Sequence, residues 1–149
     1  MNELYPEGMA GPYVLGRAHL AAGQYSEAID WLRKAGGDGP GAELQGLLGR
    51  AYALAGDHTN ALAMLHQLDS RVRAGDADPY YLAWIHAGLR QKEEALDNLE
   101  KAVEWRSSYI IHSDLGGLRT DQAWDDLRDH PRFEKICESV GMGKGQWPR

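Results

Sequence analysis

The stretch PYVLGRAHLAAGQYSEAIDWLRKA, residues 12–35, decides the fold because its pattern returns twice along the chain. Its landmarks are Leu15, Gly16, His19, Gly23, Tyr25, Ala28, Leu32 and Ala35. They align first with Leu48, Gly49, Tyr52, Gly56, His58, Ala61, Leu65 and Leu68. They align again with Leu82, Ala83, His86, Arg90, Lys92, Ala95, Leu99 and Ala102. The offsets are 33 and then 34 residues, and a period of that length marks a stack of helical hairpins.

The spacing has a mechanical meaning. In each unit a small residue (Gly16, Gly49, Ala83) lies on one helix and another (Ala28, Ala61, Ala95) on the next. Small side chains let two antiparallel helices approach closely, and Leu32, Leu65 and Leu99 fill the space beside them. Pro12 and Pro79 share a phase, and Asp78-Pro79 is an N-cap followed by a first-turn proline. Gly23-Gln24-Tyr25 and Gly56-Asp57-His58 read as short helix–helix turns. The pattern predicts helices over 10–22 and 25–36, 42–55 and 58–72, and 79–89 and 92–105. No window alternates with period two for long enough to make a strand.

These residues resemble the tetratricopeptide repeat family, whose pattern includes Leu-Gly-x-x-Tyr, then an Ala and a large apolar residue four positions on. The match spans residues 9–105, with His19 and His86 in place of the tyrosine and Ala83 in place of the glycine. Of the family's closing prolines, Pro40 is present. A narrower resemblance covers PYYLAWIHAGLRQKEEALDNLEKAVEWRSSY, from residue 79, and WDDLRDHPRFEKICESVGM, from residue 124. Those segments look like the C-terminal repeat-and-cap region of certain bacterial multidomain signalling proteins. The resemblance implies an interaction or regulatory module and carries no catalytic residue with it.

After Trp105 the period lapses, but apolar residues continue. Trp124 and Leu127 lie three apart behind Asp121, a candidate helix start. Asp129-His130-Pro131 is a second start, ahead of a stripe of Phe133, Ile136, Cys137 and Val140 that Gly141 ends. A repeat stack leaves an apolar face on its last hairpin, so residues 107–142 are expected to cap it. The expected organisation is therefore one domain: three hairpins over 9–106, the cap over 107–142, and a flexible tail over 143–149. The fold class is all-α, a three-hairpin tetratricopeptide-type α-solenoid closed by a C-terminal helical cap.

Bulk composition narrows the function. The 149 residues suffice for one domain with a core, and 43% hydrophobic with 26% charged residues is ordinary for a globular chain. A net charge of −6 without a basic stripe argues against nucleic acid as a direct partner. No apolar run approaches the roughly 20 residues of a membrane span, and MNELYPEGM does not read as a signal peptide. The lone Cys137 cannot make an intramolecular disulfide, so a cytoplasmic setting is the expectation.

Catalytic motifs are scarce. The Gly36–Gly41 loop lacks the Gly-Lys-Ser/Thr of a phosphate loop and reads as an inter-repeat turn. His112-Ser113-Asp114 are immediate neighbours and cannot converge as a triad. A zinc set of His112, Asp114, His130 and Cys137 has no i, i+4 pair or Cys-x-x-Cys to anchor it. His19 and His86, at the tyrosine phase, are expected to be packed and hydrogen-bonded core groups. No enzyme activity, metal or cofactor is expected.

The informative constellation lies on the first helix of each hairpin, which in a superhelical stack lines the concave surface. By repeat phase the inward set is Tyr13, Val14 and Arg17, then Glu43, Leu47 and Arg50, then Tyr80, Tyr81 and Trp84. Aromatic residues and Arg dominate binding hot spots. The alternative is structural: Glu43 neutralises both arginines, and Tyr81 or Trp84 packs between helices. The expected function is a non-enzymatic protein- or peptide-binding scaffold that takes an acidic segment with an apolar or aromatic anchor in this groove. A sensory domain binding a small acidic or aromatic ligand is the alternative, and self-association into a homo-oligomer is a third.

Overall fold

The computed structural model describes residues 10–36, 39, 41–111 and 117–145. These residues hold helices and turns and no strand. Three helical hairpins come first: α1 (Ala10–Ala21) with α2 (Tyr25–Lys34), α3 (Ala42–Leu54) with α4 (His58–Arg73), and α5 (Pro79–Gly88) with α6 (Lys92–Glu104). The cap adds two single turns, α7 (Ser108–Ile111) and α8 (Gly117–Thr120), then a 3₁₀ helix (Gln122–Leu127) and α9 (Pro131–Ser139). The all-α repeat architecture read from the sequence is the one observed, with hairpin boundaries displaced by at most two residues.

Each hairpin turns in the same way. After α1, Gly23 N–H donates to Leu20 O and Gln24 N–H to His19 O; Gly56 and Asp57 repeat this after α3, and Arg90 and Gln91 after α5. This paired closure needs a left-handed residue at its centre. Gly23 and Gly56 supply it at φ 76° and 84°, where a missing Cβ removes the steric cost. In the third hairpin Arg90 takes the same position at φ 61°, a strained choice for a side chain. His19 and His86 do not lie in the core. Each is half-buried and pairs through Nδ1 with Oε1 of the turn glutamine, at 2.6 Å for Gln24 and 2.8 Å for Gln91. Starts are fixed by side chains: Asp57 accepts from Asn60 N–H, and Asp78 from Tyr80 N–H with Pro79 behind it.

Close approach follows from the small residues. Ala28, Ala61 and Ala95 are fully buried, as are Leu32 and Leu99, whereas Leu65 is half-buried. α3 packs against α2 on one side and α5 on the other. A Cβ built on Gly46 would lie 2.8 Å from Tyr81 Cβ and 3.2 Å from Tyr81 O, so α5 touches the α3 backbone there. Gly46→Ala is accordingly expected to force the two helices apart and to lower stability by about 1–3 kcal/mol. Urea titration followed by circular dichroism checks this, and an unchanged midpoint would mean the helices separate freely.

One hydrophobic core runs from the first hairpin into the cap. Trp124, Leu127, Phe133, Ile136 and Cys137 are all buried in it. α9 lies on α6, where Arg132 spans Glu93 at 2.6 Å, Asp97 at 2.7 Å and Glu100 at 3.0 Å. Arg119 and Glu134 close the cap internally at 2.9 Å. The element behind Asp121 is a 3₁₀ helix rather than an α-helix, and its three-residue repeat puts Trp124 and Leu127 on one side. Gly143 is buried and Lys144 N–H donates to Glu134 Oε1 at 2.8 Å, so the chain stays attached to α9 here. Residues 146–149, Trp147 among them, lie outside the described residues. Among the described residues, no helix is long and apolar enough to cross a membrane.

Candidate functional site

Helices α1, α3 and α5 present their inward faces to a common cleft, and α8 with the 3₁₀ helix forms its opposite wall. The cleft holds two adjoining cavities of about 200 and 370 Å³. The smaller is lined by Arg17, Leu47, Arg50, Trp84, Thr120 and Asp121 among others. The larger runs past Tyr25, Leu54, Ala87, Asp125 and Asp126. Leu20, Ala21, Arg50 and Gln122 line both. Gln122 crosses the cleft and donates through Nε2 to Ala21 O at 3.3 Å.

At one end, Glu43 gathers a polar network. The Tyr13 hydroxyl donates to its carboxylate, and Arg17 Nη1 donates to the Tyr13 oxygen at 2.9 Å and lies 3.9 Å from Glu43 Oε1. Burial and then the hydrogen bond to Glu43 push the pKa of both Tyr13 and Tyr109 upward. Burial and the nearby Glu43 charge do the same for Tyr81. Three phenols and one guanidinium therefore surround one carboxylate. Glu43 consequently balances Arg17 and leaves Arg50 to other groups.

Tyr80 and Trp84 need correction as groove anchors. Tyr80 is fully buried and Trp84 is 2% exposed, so neither reaches out to an approaching segment. The cap covers them. Tyr80 OH and Trp84 Nε1 donate to Asp121 Oδ2 at 2.7 and 2.8 Å, and Trp124 Nε1 donates back to the Tyr80 oxygen at 2.9 Å. Ala123 N–H occupies Asp121 Oδ1 at 2.9 Å. The rings of Tyr80, Trp84, Tyr109 and Trp124 pack at centroid separations of 5.0–5.4 Å. Trp84 still forms part of the smaller cavity's wall. Leu47 is buried at the same wall, while Val14 is 61% exposed on α1 and lines neither cavity.

Arg50 is the distinctive group. Its side chain is half-buried, and burial lowers the guanidinium pKa against the opposing pull of Asp121. It makes no hydrogen bond or ion pair among the described residues. The cap residues that line the cleft, and that repeat phase did not reveal, are Thr120, Asp121, Gln122, Ala123, Asp125 and Asp126. All of them belong to the cap segment, where the period has ended. Asp121 was legible as a helix start, but nothing local marks it as the acceptor for Tyr80 and Trp84.

His112 and Asp114 lie outside the described residues, which include no cluster of three His, Cys, Asp or Glu groups able to hold a metal. His130 pairs with Glu93 at 3.1 Å, and burial raises the Cys137 thiol pKa. Neither curated proteins nor solved structures returned a match to the chain. A family model described as tetratricopeptide repeat matches residues 13–35 and 80–109, the first hairpin and the third hairpin with the start of the cap. Tetratricopeptide repeats generally mediate protein–protein interaction and scaffolding, without catalysis of their own. These matches, with the same turn closure recurring in the second hairpin between them, support a tetratricopeptide repeat family for this chain.

Proposed function

We propose that the chain is a non-enzymatic protein-binding module that receives an acidic peptide segment with an apolar anchor in the cleft between α1, α3 and the 3₁₀ helix. Arg50 carries this reading. A guanidinium taken half out of water, with no hydrogen-bonded partner among the described residues, gains strongly from an incoming carboxylate. Arg17, held from behind by Tyr13 and Glu43, continues the polar wall, and Leu20, Leu47 and Leu54 supply apolar surface for the anchor.

The test is selection from a random peptide display library, with affinities of the recovered peptides read by fluorescence anisotropy. Recovered sequences should be rich in Asp and Glu beside an apolar residue. Arg50→Gln should weaken them by about 1.5–3 kcal/mol, tenfold or more, with the melting temperature little changed. Gln is preferred to Glu because a carboxylate at this position would oppose Asp121 and Asp125. Recovery of basic sequences, or binding indifferent to Arg50, would sink the assignment.

The smaller cavity favours a second reading. It is walled by Trp84 and Arg50 and, at about 200 Å³, suits a small acidic or aromatic molecule. Calorimetry with free dicarboxylic and aromatic acids separates the two, since a sensor would bind them without any peptide context.

A further inference from the structure

Two opposite charges in the cleft make no hydrogen bond or ion pair among the described residues. Arg50 is one. Asp126, exposed on the wall of the larger cavity, is the other. The other acids near Arg50 are engaged: Asp121 by Tyr80, Trp84 and Ala123 N–H, and Asp125 by Arg128 Nε at 3.1 Å. Arg50 lines both cavities; Arg17 shares the smaller one with it, and Asp125 and Asp126 share the larger one with it.

A uniformly acidic segment long enough to cross both cavities would set its second carboxylate against Asp126, and like charges brought together at an interface are strongly disfavoured. A uniformly basic one would meet Arg50. Charge complementarity at both ends is satisfied by one arrangement. We infer that the preferred occupant is a peptide segment carrying both signs, with an acidic side chain at Arg50 and a basic one at Asp126. This rests on the protein-binding reading above and adds a specificity determinant to it.

Four labelled peptides that share one apolar anchor test the inference by anisotropy on the full chain: acid with base, acid with acid, base with base, and uncharged. Each charged peptide is made with one to four residues between the two charges. The acid–base peptide should bind at least tenfold tighter than the acid–acid peptide. Asp126→Lys should reverse that order, and Asp126→Asn should bring the two near parity. Asp126 is exposed, so unchanged melting temperatures are expected for both variants and serve as the folding control. Equal binding of the acid–base and acid–acid peptides, undisturbed by Asp126→Lys, would overturn the inference and leave the acidic-segment reading standing. Binding of the uncharged peptide as tight as any other, or no binding at all, would overturn both.

Discussion

Truncation after Ser107 is expected to leave a chain that no longer melts cooperatively and that aggregates on concentration. The segment removed contains Trp124, Leu127, Phe133 and Ile136, which are 0–4% exposed. At about 1.5–3 kcal/mol for each fully buried side chain, their loss is on the order of 6–12 kcal/mol. That matches the entire stability of an ordinary domain, about 5–15 kcal/mol. The hairpins left behind would also expose Tyr80, Trp84 and Leu99, and an apolar patch of that size promotes association. Truncation after Lys144 keeps the Glu134 contact and should melt like the full chain. Thermal melts with size-exclusion chromatography make the comparison. A monomeric 1–107 fragment with an unchanged melting temperature would show that the cap adds nothing to the fold.

Asp121→Ala should be the most damaging single substitution at a polar position. It removes the acceptor of Tyr80 OH and Trp84 Nε1 and the side chain that caps the 3₁₀ helix through Ala123 N–H. Leaving buried donors unsatisfied costs about 1–3 kcal/mol each, so a loss of about 2–5 kcal/mol is expected. Asp121→Asn keeps a carbonyl acceptor in nearly the same place and should cost less. Urea midpoints give the ranking, and near-ultraviolet circular dichroism reports whether the aromatic cluster keeps its packing. Equal midpoints for the Ala and Asn variants would mean that the acceptor contributes nothing beyond side-chain shape.

The hairpins were legible because the period determines both the helix faces and the turns. Gly23 and Gly56 mark left-handed closures, Asp78-Pro79 marks a helix start, and the buried Ala28, Ala61 and Ala95 mark the close crossings. Repeat phase also places Arg17 and Arg50 on one cleft. It could not say what else occupies that cleft. Phase states which way Tyr80 and Trp84 point, but their exposure depends on a segment about forty residues downstream that belongs to no repeat. Aromatic content and Asp121 made the cap visible as structure. Its return to the inward side depends on long-range hydrogen bonds with no local spacing. The same limit explains Glu43, whose partner Tyr109 lies in the cap.

The strut from Gln122 to Ala21 joins positions 101 apart and ties the C-terminal wall to the first hairpin. Repeat arrays commonly change length by duplicating a unit, since each unit touches just its neighbours. Here a duplicated hairpin between α4 and α5 would displace α1 from the 3₁₀ helix by at least one helix spacing, roughly 10 Å. Gln122 could not follow, and Arg17 would leave the cavity that Trp84 and Thr120 help to wall. The strut thus acts as a gauge of copy number: three hairpins close the cleft, and a fourth would open it.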